Sequence, residues 1–389
     1  MPPHEPSAVI TQRGADRIEA GHPWVYKSDV RAVAAEGGDV VRVADERGRF
    51  RGRAFYSDRS QITLRLLTTE DVPVHREFFA ARLRAAADYR QRVVRDTQAF
   101  RLVYGEGDRL PSIVVDRYGD YLVIQTLSQG AERIKTELVS LLVEQLAPRG
   151  ILERNDPRVR QREGLPQLIT VLHDEVPPAV IAEMNGLRLQ FDLFRGQKTG
   201  GFLDQRENYR AAAQYAWGEA LDGFCYAGGF GLTMAKHCKN VECVDLSPHA
   251  LQSARQNAEG NGLPNVTFRA GNTFDILKEY DEAGRRFDTI VLDPPAFAKD
   301  RNSVPAALRG YKEINLRSMR LLRPGGFLIT CSCAHHISEP AFLQMLAEAG
   351  QDTGRELRVV ERRTQAQDHP ILLTVPETMY VKCVMLQCL

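Results

Sequence analysis

The chain has 389 residues, 43% hydrophobic and 26% charged, and Lys+Arg 51 against Asp+Glu 50 leaves a net charge of +1. At roughly 150 residues per domain this length implies several folded domains, and the composition excludes a disordered chain. No apolar run approaches the roughly 18 residues that a bilayer-spanning helix needs, and a near-neutral balance excludes nucleic-acid binding driven by overall charge.

Met1 to Ser7 holds no basic n-region ahead of an apolar stretch, so no secretory signal and no membrane partner are expected. The 7 cysteines all lie at Cys225 or beyond. Such an odd, confined set is not a disulfide framework and favours a reducing cytoplasm. Residues 1–72 are short and β-like, with Val40 to Val43, Arg51 to Phe55 and Gln61 to Leu66 as strands of a small barrel. Arg47, Arg49, Arg51 and Arg53 alternate, so an extended segment puts them on one face, and between 47 and 65 only Asp58 opposes them. The stripe reads equally as a phosphate-contacting face or a solvated one.

From Pro73 the pattern changes to a central α+β region, 73–185. A helix is predicted over Glu77 to Arg95, a hairpin from Ser112 to Asp116 and Tyr121 to Thr126, and a helix over Glu132 to Leu146. This region carries no chemical motif. The last region, 186–389, opens with a strand at Leu187 to Phe191. From Ala220 it alternates strand and helix in the α/β manner, with strands at Ala220 to Phe224, Asn240 to Asp245, Val266 to Arg269, Thr289 to Asp293 and Phe327 to Ser332. That order implies a mostly parallel, doubly wound Rossmann-like sheet, closed by a hairpin of Leu357 to Glu361 and Met379 to Met385.

The candidate chemistry sits at the carboxyl ends of those strands. Phe224, Cys225, Tyr226, Gly228 and Gly229 occupy the first strand-to-helix turn, where small residues let a nucleotide-like cofactor approach the backbone. The spacing is neither G-x-G-x-x-G nor a P-loop, which removes the sharpest support for dinucleotides and triphosphates. Asp245 ends the second strand, where an α/β site puts the carboxylate that accepts from ribose hydroxyls, while Ser247 is the better helix cap. Asn272, Thr273 and Phe274 follow the third strand, where a polar side chain and an aromatic can meet an adenine. Asp293-Pro294-Pro295 ends the fourth, its prolines stiffening the exit. Cys333 follows the fifth and faces the same crevice as Asp293. A thiolate adding to carbon 6 of a pyrimidine makes carbon 5 nucleophilic enough to attack a methyl sulfonium, and Asp293 can stabilise that adduct. His335 and His336 have no accompanying ligand pair, so no metal is expected.

At these residues the sequence resembles the RlmI-type 23S ribosomal RNA cytosine-5 methyltransferases. His22-Pro23-Trp24-Val25 looks like the start of their PUA domain, and Gly107 to Pro111 with Asp116 to Gly119 look like their middle domain. Lys198-Thr199-Gly200, Leu203 to Arg206, Phe224 to Tyr226, Asp293 to Pro295, Arg309 to Lys312 and Asp368-His369-Pro370 look like signatures of their catalytic domain. The resemblance implies S-adenosylmethionine as cofactor, lined by Phe202, Tyr226, Gly228, Asp245 and Asn272 to Phe274, with Cys333 as nucleophile and Cys331 as bystander. It also implies 23S rRNA or a large-subunit assembly intermediate as partner, with Lys198 and the arginine stripe touching RNA, and leaves a homodimer open. Family members often carry Lys after the prolines where this chain has Ala296, and some carry Ser where it has Ala334. Methylation of uridine carbon 5 or of a base nitrogen, and a non-catalytic assembly factor, are the competing expectations. Exocyclic-amine chemistry usually shows an aromatic at the position of Ala296.

Overall fold

The computed structural model describes residues 5–298 and 300–389. The chain folds into two compact units. The first holds the residues up to Val180 with Phe191–Gly200 and Gln367–Thr378, and the second holds Ile181–Gln190, Gly201–Ala366 and Met379–Leu389.

In the first unit, the three predicted barrel strands appear as Val40–Asp45, Phe50–Tyr56 and Ile62–Thr68, paired antiparallel in sequence order. They belong to a six-stranded sheet completed by Ser7–Ile10, Trp24–Tyr26 and Val30–Ala34. Alternation buries Val41 and Val43 with Ala54 and Leu64 against Ile10 and Ile18, which is why these segments are strands. The central region forms a five-stranded sheet in which Ile113–Tyr118 and Tyr121–Thr126 make the expected hairpin, with Tyr118 opposite Tyr121. The predicted helix over Glu132 to Leu146 is two helices, Gln129–Arg133 and Lys135–Leu146, broken at Ile134. Phe55 and Leu67 of the barrel share one core with Phe79, Leu83 and Leu141 of the central region. Beside that core Arg65 pairs with Glu163 at 2.7 Å, both buried, and removing either charge strands the other at a cost of about 3–5 kcal/mol.

Two motifs that the sequence groups with the last domain pack in the first unit. The Thr199 hydroxyl donates to Asp116 at 2.6 Å, and Asp116 is held bidentately by Arg101 at 2.8 Å. Arg90 donates to the Asp368 carbonyl at 2.6 Å, the Arg101 N–H donates to the Asp368 carboxylate at 2.8 Å, and the His369 ring lies 5.2 Å from that of Tyr104. These side chains therefore fasten the segments 191–200 and 367–378 to the central sheet.

The second unit is a seven-stranded sheet: β1 (Glu219–Gly223), β2 (Asn240–Asp245), β3 (Val266–Ala270), β4 (Phe287–Leu292), β5 (Leu322–Ser332), β6 (Leu357–Arg363) and β7 (Lys382–Cys388). The spatial order is β3-β2-β1-β4-β5-β7-β6. All pairs from β3 to β5 are parallel, and β7 runs antiparallel between β5 and β6 as the predicted closing hairpin. The helices are α1 (Arg206–Tyr215), α2 (Gly229–Met234), α3 (Pro248–Gly260), α4 (Thr273–Glu282), α5 (Val304–Leu321) and α6 (Glu339–Thr353). β4 is buried at every position, as a central parallel strand covered on both faces must be. Strand order reverses beside β1, so the crevice over the carboxyl ends of β1 and β4 is where a doubly wound sheet takes its ligand. Among the described residues no helix is long and apolar enough to cross a membrane.

Candidate active site at the carboxyl edge of the parallel sheet

The turn after β1 is tied down by backbone bonds. The N–H groups of Phe224 and Cys225 both donate to the Val244 carbonyl at 2.9 Å, and the Tyr226 N–H donates to Asp245 Oδ2 at 2.8 Å. Phe224 (φ +72°) and Tyr226 (φ +48°) adopt the left-handed region, which costs on the order of 1 kcal/mol or more each and persists because these anchors over-determine it. Gly228 has φ +90°, and a Cβ there would lie 2.7 Å from Leu232 Cγ. The neighbouring glycines serve packing as well: a Cβ on Gly229 would strike the Tyr209 ring and one on Gly231 the Cys243 sulfur, both at 2.4 Å. The turn is thus a close seat for α2.

Asp245 Oδ1 also accepts from the Ser247 N–H at 2.8 Å, while Ser247 itself caps α3 through Ala250, as the sequence predicts. The Phe202 ring meets Tyr226 edge-on at 5.1 Å. Asn272 caps α4 by accepting from the Phe274 N–H at 3.0 Å, and Thr273 is buried against Gly223. Of that trio, Phe274 is the one whose side chain is not committed to capping or buried. Its ring lies 6.5 Å from Phe224 and 5.8 Å from Phe297.

Asp222, fully buried at the base of the turn, accepts from the Gly231 N–H at 2.7 Å through Oδ2, while Oδ1 has no hydrogen-bond partner among the described residues. Burial, with the charges of Asp293 and Asp245 adding to it against the Gly231 bond, pushes its carboxyl up to about 8. Three carboxyl groups electrostatically coupled around one crevice, one with an orphaned oxygen, suit a cationic ligand that also carries hydroxyls. S-adenosylmethionine has that character, so the residues present fit it.

Asp293 follows β4. Gln205 Nε2 donates to its Oδ1 at 3.0 Å, Asn208 donates to Gln205 Oε1 at 2.6 Å, and Arg363 Nε donates to Asn208 Oδ1 at 2.9 Å. Asn208 went unnoticed in the sequence and Gln205 appeared there only within the Leu203 to Arg206 signature, with no role, because a relay between β4, α1 and β6 leaves no local pattern. After the prolines, Ala296 is exposed, whereas the Phe297 ring turns inward to lie 4.6 Å from Tyr311.

At the end of β5 three consecutive residues have different surroundings. Cys331 is fully buried opposite Cys383, and burial and the Cys383 thiol push its own thiol well up. Ser332 Oγ donates to the Tyr311 hydroxyl at 3.1 Å. Cys333 is half-buried, just past the strand end. A thiol that must reach a substrate carbon is therefore Cys333 and not Cys331.

The arginine stripe of the barrel is not the unopposed face that the sequence suggests. Asp45 accepts from Arg49 Nε at 2.7 Å and from Arg51 at 3.0 and 2.7 Å, Arg51 also pairs with Glu19, and Arg53 pairs with Glu5 and Asp71. The opposing carboxylates come from beyond the strand, so inspection of 47–65 could not find them. Arg47 and Arg49 remain exposed, and Lys198 is exposed on its turn with φ +54°. Burial would raise the Asp45 carboxyl, but the hydrogen bonds from Arg51, Arg49 and Arg47 outweigh it and hold it well below the usual carboxylate range. A depressed carboxyl stabilises the fold above its unfolded value near pH 4, and that contribution is lost as pH falls toward the folded value. Arg51→Ala is therefore expected to lower the melting temperature by a few degrees at pH 7, with a gap from the parent that narrows below about pH 4. Thermal melts of both chains across that range check it, and a pH-independent gap would point to lost packing alone.

A PUA-like domain model matches residues 9–69, and an S-adenosylmethionine-dependent methyltransferase model matches residues 175–382. The chain is 41% identical over 375 residues to ribosomal RNA large subunit methyltransferase I of Shewanella amazonensis, covering 94% of this chain and 95% of that one. It is 42% identical over 372 residues to the protein of the same name from Tolumonas auensis, covering 93% and 94%. Among solved structures, SMU.776 complexed with SAH superposes with a TM-score of 0.85 over 98% of this chain and 99% of that one at 19% identity, a likeness of fold. Sheet order, cofactor turn and relatives converge: the chain belongs to the ribosomal RNA large subunit methyltransferase I family of S-adenosylmethionine-dependent methyltransferases.

Proposed function

We propose that this methyltransferase modifies carbon 5 of a cytosine in large-subunit (23S) ribosomal RNA, through a covalent adduct between Cys333 and carbon 6 of the base. The substrate class follows from the relatives' name and the PUA-like barrel. The chemistry rests on one observation: a half-buried cysteine just past β5, on the strand next to the one that ends at Asp293, with its neighbour Cys331 sealed away. Phe202, Phe224, Cys225, Tyr226, Gly228, Gly229, Asp245, Phe274 and Asp293 are the residues that would hold the cofactor, with Asn272 and Thr273 shaping the turn behind Phe274.

Bound S-adenosylmethionine supplies an electrophilic methyl group on a sulfonium sulfur. The Cys333 thiolate adds to carbon 6, the carbon 5–carbon 6 double-bond electrons shift to carbon 5, and that carbon becomes an enamine-like nucleophile. Asp293, braced by Gln205, meets the N3 and exocyclic amine edge of the cytosine and stabilises the adduct. Once carbon 5 carries the methyl group, a base takes the carbon-5 proton, the double bond re-forms and the sulfur leaves as thiolate. Ala296 offers no aromatic face to an exocyclic amine and Phe297 is packed inward, which supports carbon over nitrogen as acceptor. Of the RNA contacts, Arg47, Arg49 and Lys198 are exposed, Arg49 while paired with Asp45, whereas Arg51 and Arg53 are largely covered within their ion pairs, so the first three are expected to carry more of the salt dependence of binding.

Incubation with labelled S-adenosylmethionine and 23S rRNA, naked and in partly assembled large subunits, followed by nucleoside mass spectrometry, tests the reading. The expected product is 5-methylcytidine. 5-Methyluridine or an N-methylated base would overturn the specificity, and no product in either substrate would favour an assembly factor without turnover.

A further inference from the structure

Lys382 opens β7 directly opposite Ser332 of β5. It is buried, 7% exposed, and its Nζ donates to the Ala334 carbonyl at 2.6 Å. That carbonyl belongs to the residue after Cys333, so the amine is fastened to the short turn that presents the thiol. A buried ammonium is costly unless a partner charge and hydrogen bonds compensate it. The charges acting on it are those of Cys333 and, more weakly, Glu339 at the start of α6. Tyr311 of α5, near Cys333, has its hydroxyl pushed up to about 12, chiefly by burial, and His335 is exposed and stacks on Tyr380 at 5.3 Å.

Resting on the reading of Cys333 as nucleophile, we infer that Lys382 is a positioning residue that holds Cys333 as its thiolate in the free enzyme. The S–H proton goes to solvent, the sulfur anion remains beside the ammonium, and the bond to Ala334 fixes the ammonium there. Burial brings the Lys382 amine down to about 8, with Cys333 and Glu339 opposing that fall, so it is charged at neutral pH and withdraws its support above about pH 8. After addition to carbon 6 the sulfur is a neutral thioether and the pair re-forms when the thiolate leaves, so Lys382 stabilises the leaving sulfur too.

The test reads Cys333 directly, on the full chain without RNA: carbamidomethylation by iodoacetamide between about pH 5 and 9, followed at the Cys333 peptide by mass spectrometry. The parent is expected to show a midpoint below the roughly 8.5 of an unperturbed cysteine. Lys382→Met is expected to raise the midpoint by about one pH unit and slow alkylation about tenfold at pH 7, with the low midpoint restored in Lys382→Arg. Methylation kcat should fall with the alkylation rate while KM for RNA stays. A parent midpoint at the ordinary value, or no change in Lys382→Met, overturns the inference, and the parent profile decides alone if Lys382→Met does not fold. Retained methylation by Cys333→Ala overturns the nucleophile assignment instead, so the two failures are told apart.

Discussion

Cys333→Ala is expected to abolish methyl transfer, by roughly 10⁴-fold in kcat or about 5.4 kcal/mol of barrier, while leaving affinity for S-adenosylmethionine within about twofold. The split follows from the geometry. The cofactor turn lies after β1 and β2, anchored through Val244 and Asp245, whereas Cys333 lies past β5 and contributes to none of those bonds. Removing the sulfur therefore takes away the attack on carbon 6 and leaves the cofactor seat in place. Cys331→Ala is the control, and it should alter stability more than turnover, since that thiol is sealed opposite Cys383. Calorimetric cofactor titration beside single-turnover methylation separates the two quantities. Full activity in Cys333→Ala would remove the covalent mechanism and leave direct transfer to a nitrogen as the better reading.

The parallel sheet was legible because each strand is a short apolar run punctuated by Gly, Pro or Asp, and because chemistry in such sheets collects at carboxyl ends. Asp245 and Asp293 announce themselves by sitting there, and Ser247 before Pro248 reads as a cap from local chemistry alone. Relations between distant segments were not legible. Asp368 accepts from the Arg101 backbone N–H and Thr199 donates to the Asp116 side chain of the central sheet, so their position in the last third or middle of the chain says nothing about where they pack. The charges that oppose the arginine stripe were not legible for the same reason: alternation showed a shared face, but Glu5, Glu19 and Asp71, all outside the stretch, supply much of the opposing charge. Asn208 and Lys382 carry no motif, and Gln205 lies in the Leu203 to Arg206 signature with no role legible there; only the register of the sheet and the packing of α1 bring them to the site. Conversely, Asn272 and Thr273 lie where the sequence expects a cofactor contact, yet a helix cap and a packed methyl account for most of what their side chains do.

Asp293→Asn should cost about 10²–10³ in kcat, the scale set by removing one preorganised group from a charge-stabilising site. Asn keeps an oxygen for Gln205 Nε2 at the observed 3.0 Å, so the relay through Asn208 and Arg363 survives and the loss reports charge and protonation. Gln205→Leu poses the complementary question, since it leaves the carboxylate but removes its brace, while the Asn208 amide keeps the Thr364 carbonyl at 3.0 Å as acceptor. Its expected loss is about tenfold in kcat, because a carboxylate that has lost the Gln205 bond spends less of its time in the orientation that meets the cytosine edge. Asp293 also bears on the cofactor side of the crevice, where its charge raises the Asp222 carboxyl. Replacing it should therefore make Asp222 easier to ionise, so the cofactor affinity of Asp293→Asn should fall less than its kcat. Single-turnover rates and cofactor titrations on both variants check this order. A larger loss in Gln205→Leu than in Asp293→Asn would show that the relay, and not the carboxylate, holds the transition state.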